Sequence, residues 1–222
     1  MRLFYEPVSI DIEFEEGILG LCVENPHSFR LITENIWKQE NGESGDLFLT
    51  TTGKEVNWSK EICTVWTPFA VDINERKIIS KVYSMLQNIV EMECSEKANL
   101  VNARIVELLD DLGAKFNFPL DFKLEIDFQQ IFKAYDVKIE MESISLVERL
   151  INFIKIAHQI LNINVFIFIN PMQYFSEDER KTLNESIEYE HVTLLIIENN
   201  MPITFINEKW WVVDRDNCII EV

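Results

Sequence analysis

Ile163-Asn164-Val165-Phe166-Ile167-Phe168-Ile169 and, further on, Val192-Thr193-Leu194-Leu195-Ile196-Ile197 are the two runs whose reading decides the fold. Neither alternates between apolar and polar residues. A strand covered on both faces has no wet side, so a nearly unbroken apolar run marks a central strand of a parallel sheet. Between them, Ser176-Glu177-Asp178-Glu179 is a capping box that opens a helix by satisfying its first N–H groups. Strand, helix, strand at this spacing is a βαβ unit, expected to be right-handed. Ahead of it, Leu146, Leu150, Ile151, Ile154, Ala157 and Leu161 predict a helix from about Ser145 to Leu161. Behind it, strands are expected near Trp210–Val213 and Cys218–Val222, about a turn at Asp216-Asn217.

The start of the chain reads differently. Val8, Ile10, Ile12 and Phe14 alternate with polar residues, as in a strand with one wet face. Gly17 and Gly20 punctuate a turn into a second strand around Leu19–Val23. Asn25-Pro26 is an N-cap followed by proline at the first helical position. The helix it opens carries Phe29, Ile32, Ile36 and Trp37 on one face and ends at Asn41-Gly42, before a short strand at Leu47–Thr50. The middle is helical. Ile78, Val82, Leu86 and Ile89 keep a helical period between Glu75 and Glu93, and Leu100, Ile105, Leu108 and Leu112 keep one in a second helix. Gly113 reads as the left-handed cap of that second helix. Both apolar stripes are too narrow for full burial, which suggests an extended arm or packing on another subunit. The expected architecture is an α/β head built from residues 1–70 and 145–222, with residues 71–144 inserted as a helical arm.

A chain of 222 residues can bury a sizeable core without disulfides or a structural metal. Cys22, Cys63, Cys94 and Cys218 are scattered and read as free thiols. No apolar run approaches the ~18 residues that cross a bilayer, and the first residues lack a secretory pattern. A cytoplasmic protein without a membrane partner is expected. The net charge of −18 predicts repulsion from nucleic acid, although a sum does not exclude a local basic strip.

An α/β head invites a search for a phosphate loop. The glycines at 17, 20, 42, 45, 53 and 113 compose neither G-x-x-x-x-G-K-[ST] nor G-x-G-x-x-G. The strand Val165–Ile169 ends at Asn170, where an ATPase would place an aspartate for magnesium. His27, His158 and His191 form no zinc spacing, and no G-x-S-x-G elbow supports a hydrolase triad. No enzymatic activity is therefore expected. Asp121, Glu125, Asp127, Glu140 and Glu142 could supply oxygen to calcium if their extended segments approach one another; they suit a solvated face equally well. Basic residues are scarce, and Lys115, Lys123, Lys133, Lys138, Arg149 and Lys155 fall together between the arm and the second head segment, as a scatter or as a patch.

Four segments carry a resemblance: Ile131-Phe-Lys-Ala-Tyr-Asp-Val-Lys-Ile-Glu140, Ile163–Asn170, Tyr174–Glu179 and Leu194–Glu198. In order and spacing they resemble the CRISPR adaptation protein family of type II-A systems, the small accessory subunit of spacer acquisition. The resemblance implies a head related to P-loop nucleotide hydrolases that has lost its phosphate loop. It implies a homotetrameric ring whose basic channel threads double-stranded DNA from free ends, without regard to sequence. Lys133, Lys138 and Arg149 would face that channel, with Lys123 and Lys155 beside them. It further implies structural calcium at the joint of head and arm, here with Lys123 interrupting Asp121-Phe-Lys-Leu-Glu125, and partners among other CRISPR adaptation and effector proteins. Two other classes remain open: an ATPase with an unusual phosphate site, and an oligomeric adaptor that touches only protein.

Overall fold

In the computed structural model, which describes residues 1–15, 17–51, 53–142, 145–202 and 209–222, the two apolar runs lie side by side as central strands. In chain order the elements are β1 (Arg2–Tyr5), β2 (Ile10–Glu13), β3 (Ile18–Val23), α1 (Pro26–Glu40), β4 (Phe48–Thr51), β5 (Lys54–Glu55), α2 (Trp58–Glu61) and β6 (Ile62–Val65). There follow α3 (Arg76–Glu93), α4 (Ser95–Lys115), α5 (Phe128–Ala134), α6 (Leu146–Leu161), β7 (Val165–Ile169), α7 (Glu177–Glu190), β8 (Thr193–Glu198), β9 (Trp210–Val213) and β10 (Ile219–Glu221). The fold is mixed α/β. It divides into two compact units, one of Met1–Ile73 with Met141–Val222 and one of Asn74–Glu140.

The first unit is organised by a six-stranded sheet in the order β10-β9-β3-β8-β7-β6, parallel from β9 to β6 and antiparallel at β10. Every residue of β7 and of β8 is buried, which is why neither strand shows alternation. Side chains point alternately to the two faces. On one face Leu19, Leu21, Val23, Ile167, Leu195 and Ile197 share a core with Ile32 and Ile36 of α1. The same core takes in Leu3, Ile10, Ile12 and Leu49 from a smaller antiparallel sheet of order β2-β1-β4-β5. On the other face Phe166, Phe168, Leu194 and Ile196 are buried, and α6 and α7 pack on each other. Both helices open with complete capping boxes, at Ser145 with Glu148 and at Ser176 with Glu179.

Three expectations are corrected. Gly20 is not a turn residue: it sits inside β3, where the Trp210 ring of β9 lies so close that a Cβ would stand 2.3 Å from Cδ2. Gly113 is not a left-handed cap. α4 continues through it to Lys115, and Gly113 is absent from the positive-φ glycines. The stretch from Asp121 to Asp127 forms no strand, so its carboxylates do not line up on extended edges.

The second unit is held differently. α3 buries only Ile78 and Tyr83, and α4 buries nothing among the described residues. Side-chain clamps supply its order. Asn102 of α4 donates from Nδ2 to the Leu124 carbonyl and accepts from the Ile126 N–H. Asn74 pairs in the same two-way manner with the Ile139 backbone, and the Tyr83 hydroxyl donates to the Val137 carbonyl. No helix among the described residues is long and apolar enough to cross a membrane.

Candidate nucleic-acid interface

In sheets of this kind ligands bind outside the carboxyl ends of the parallel strands. There β3 ends at Val23 and α1 begins at Pro26, leaving Glu24 and Asn25 as the whole connection. A helix start binds phosphate through backbone N–H groups that have no other partner. Here Pro26 has no N–H, and the Asn25 Oδ1 accepts from the N–H groups of His27 and Ser28 at 2.9 and 3.4 Å. The Asn25 Nδ2 donates to the Arg215 carbonyl, and the Ser28 hydroxyl donates to Asn217 Oδ1 at 2.6 Å. The place for a phosphate is filled by the protein itself.

The neighbouring strand ends are also closed. Asn170, with φ of 49°, accepts from the Asn199 N–H at 2.9 Å and donates its own N–H to the Ile197 carbonyl. It ties the ends of β7 and β8 together through its side-chain oxygen and its backbone N–H. Glu198, the last residue of β8, is 5 % exposed and lies beside Cys22 of β3 in register. It accepts from the Met172 N–H at 2.7 Å. Burial pushes its carboxyl up to about 7, against the pull of that hydrogen bond and of the Arg180 charge. Burial likewise raises the Cys22 thiol to about 11, so it is no nucleophile at neutral pH. Glu198 and Arg180 carry no signal in the sequence beyond an acid ending an apolar strand. A cavity of about 800 Å³ near the start of β3 is lined by the carboxylates of Glu13, Glu15, Glu188 and Glu221, which outnumber its cations Arg2 and Lys209.

The basic residues divide between the units. Lys123 is exposed in the irregular stretch before α5, and Lys133 is exposed in the last turn of α5. Lys138 is exposed and pairs with Asp136 at 2.5 Å. An exposed pair of this kind leaves the ammonium reachable by phosphate. Arg149 and Lys155 belong to the other unit, half-buried on α6, and the buried Arg149 Nε has no acceptor among the described residues.

Of the acidic residues, Asp127 caps α5, its Oδ1 accepting from the Gln129 N–H at 3.0 Å. Asp121, Glu125, Glu140 and Glu142 are exposed. Carboxylate oxygen suits calcium, which wants six to eight such ligands. Among the described residues, however, no group of three or more His, Cys, Asp or Glu side chains gathers to hold a metal ion. The donors fit the ion in kind; one chain does not assemble them.

Residues 39–217 match the family model described as CRISPR-associated protein (Cas_Csn2), which takes in most of the 222-residue chain. The chain belongs to that family. Two Csn2 relatives extend the match. The CRISPR-associated protein Csn2 of Enterococcus faecalis is 25 % identical over 207 residues, covering 90 % of this chain and 91 % of the relative. That of Streptococcus agalactiae is 24 % identical over 162 residues, or 72 % of each chain. The Csn2 match includes all four segments on which the sequence resemblance rests, together with the α3–α4 region and the ends of β7 and β8 just described. It begins within the last turn of α1, so β1 to β3 lie ahead of it.

Proposed function

We propose that this Csn2-family chain binds double-stranded DNA ends without catalysis and without reading sequence, as a homotetrameric ring acting in CRISPR spacer acquisition and so in antiviral defence. The observation that carries the reading is α4, a 21-residue helix with apolar residues at helical spacing and none of them buried in its own chain. Leu100, Leu108 and Leu112 are all exposed there, which favours burial against further copies. The head is read as a relative of the P-loop nucleotide hydrolases. In support, the parallel strands run β9-β3-β8-β7-β6, with β3 flanked by the later strands β8 and β9. The self-capped start of α1 supports the loss of phosphate binding and of ATPase activity.

Within the ring, Lys133, Lys138 and Arg149, with Lys123 and Lys155, would supply the positive lining, each repeated by symmetry. Contacts to phosphate position a protein without carrying base information, so binding would be indifferent to sequence. Calcium belongs to the proposal only as a brace of the assembly, since single chains do not gather Asp121, Glu125, Asp127, Glu140 and Glu142 around one point. The protein would work in the cytoplasm beside other CRISPR adaptation and effector proteins.

The test is retention of linear duplex against a covalently closed circle of the same sequence, at several salt concentrations, with and without a calcium chelator. Linear duplex should bind and the circle should not; equal retention would sink threading. Lys133→Ala should weaken binding uniformly across sequences and flatten the plot of log affinity against log salt, by about 0.9 for each phosphate that is no longer neutralised. Failure to retain any duplex would favour a protein-only adaptor. Chelation should loosen the oligomer, and an unchanged mass would remove calcium from the reading.

A further inference from the structure

The first unit carries a group of exposed aromatic rings that the DNA reading does not use. Trp37 of α1 is 53 % exposed and Trp66, just past β6, is 38 % exposed. The two segments are joined by a hydrogen bond from Trp66 Nε1 to Glu40 Oε2 at 2.8 Å, Glu40 lying one turn beyond Trp37 on the same helix. Three residues past Trp66, the exposed Phe69 ring meets the exposed Tyr174 ring edge-on, with centroids 5.0 Å apart. The rings thus extend from α1 across the end of the edge strand β6 to the turn that follows β7.

Exposed tryptophan is uncommon on a surface that faces only water, and Trp and Tyr are the residues that anchor interfaces. The charge around these rings says what they suit. The segments that carry them, residues 34–46, 66–72 and 171–178, contain a single basic residue, Lys38, against acids that include Glu40, Glu43 and Asp178; α6, which packs against residues 68–70, adds Arg149 and Lys155, still fewer cations than acids. A phosphate backbone would meet repulsion there. A second copy presenting the same patch across a two-fold axis would set carboxylate against carboxylate. An arginine or lysine has both of its preferred neighbours, an aromatic face and a carboxylate.

We propose that this face, centred on Trp37 and Trp66, is a docking surface for a basic segment of a partner protein, one that presents arginine or lysine between apolar side chains. It shares no residue with the basic set assigned to DNA, and it stands whether or not the chain threads duplex ends.

The experiment uses the full chain and a fluorescein-labelled peptide of alternating arginine and leucine. A glutamate–leucine peptide serves as control, and linear duplex DNA as a separate probe. The basic peptide should bind and the acidic one should not. The Trp37→Ala/Trp66→Ala double variant keeps every charge, so a tenfold or greater loss of peptide affinity would assign binding to the rings. Unchanged affinity would reduce the effect to attraction by a chain of net charge −18 and overturn the proposal. So would a change in oligomeric mass, which would make the face a contact between copies, or loss of DNA with peptide binding intact. Trp37→Ala alone gives the same reading if the double variant melts early.

Discussion

The two units of this chain solve the same problem in opposite ways. The sheet unit buries Phe166, Phe168, Leu194, Leu195, Ile196 and Ile197 almost completely within one chain. The helical unit keeps Leu100, Leu108, Leu112 and Met92 at the surface and relies on Asn74, Tyr83 and Asn102 to hold its backbone in place. The first unit carries its own core, and the second leaves an apolar stripe that only the proposed assembly would cover. If that assembly forms, a side chain in the sheet unit reports on folding, whereas one on α4 reports on assembly.

The largest expected effect is in the sheet unit. Phe168→Ala removes a fully buried ring from a central strand and should cost about 3–5 kcal/mol. A loss below ~1 kcal/mol in denaturant titration would break the contrast between the units. Gly20→Ala comes next. Its methyl group would have to displace the buried Trp210 ring, for roughly 1–3 kcal/mol of overpacking, read as a lower melting temperature and altered tryptophan fluorescence.

Glu198→Gln tests the buried end of β8 through pH. The folded carboxyl is raised from 4.5 to about 7, so the native state takes up a proton more readily than the unfolded chain. Its favourable contribution is complete below pH 4.5 and is lost as pH rises through about 7. The stability difference between the parent and Glu198→Gln should therefore shift by on the order of 2 kcal/mol across that range, in favour of the parent at low pH. A difference that stays constant with pH would refute the perturbed carboxyl. The smallest effect on folding belongs to Leu108→Ala, which should change the stability of an isolated chain by no more than about 0.5 kcal/mol. The aspartate variant at the same position should lower the mass of the assembly in light scattering. If Leu108→Asp leaves the mass untouched, the exposed stripe of α4 is not an interface.

The sequence made the central strands and helix starts legible because their signals are local. Unbroken apolar runs, the Ser176 capping box and Asn25-Pro26 each act within a few residues. β1, β5 and β6 were not read; each is short and is defined by the strand it pairs with rather than by a pattern of its own. Gly20 was misread for a related reason: a glycine signals a turn locally, but this one is required by Trp210, which arrives 190 residues later. The candidate site was legible only as residue types. Spacing reveals that Lys133, Lys138 and Arg149 are among few basic residues; it does not reveal that they divide between two units. Glu198 was hidden because burial, which gives that carboxyl its unusual chemistry, is a property of packing.

The neighbours of β3 have a consequence for how the protein is made. Both strands that hydrogen-bond to β3, namely β8 and β9, come from the far end of the chain. At about 5–20 residues per second of synthesis, β3 leaves the ribosome many seconds before either one exists. Until then its Leu19, Leu21 and Cys22 have two open edges and no sheet to join. The helical unit, which ends at Glu140, is complete in the chain before either strand is made. Folding of the head thus waits for β8 and β9, and a ribosome stalled between Lys115 and Val192 would hold an aggregation-prone strand in a nascent chain that already contains two long, sticky helices.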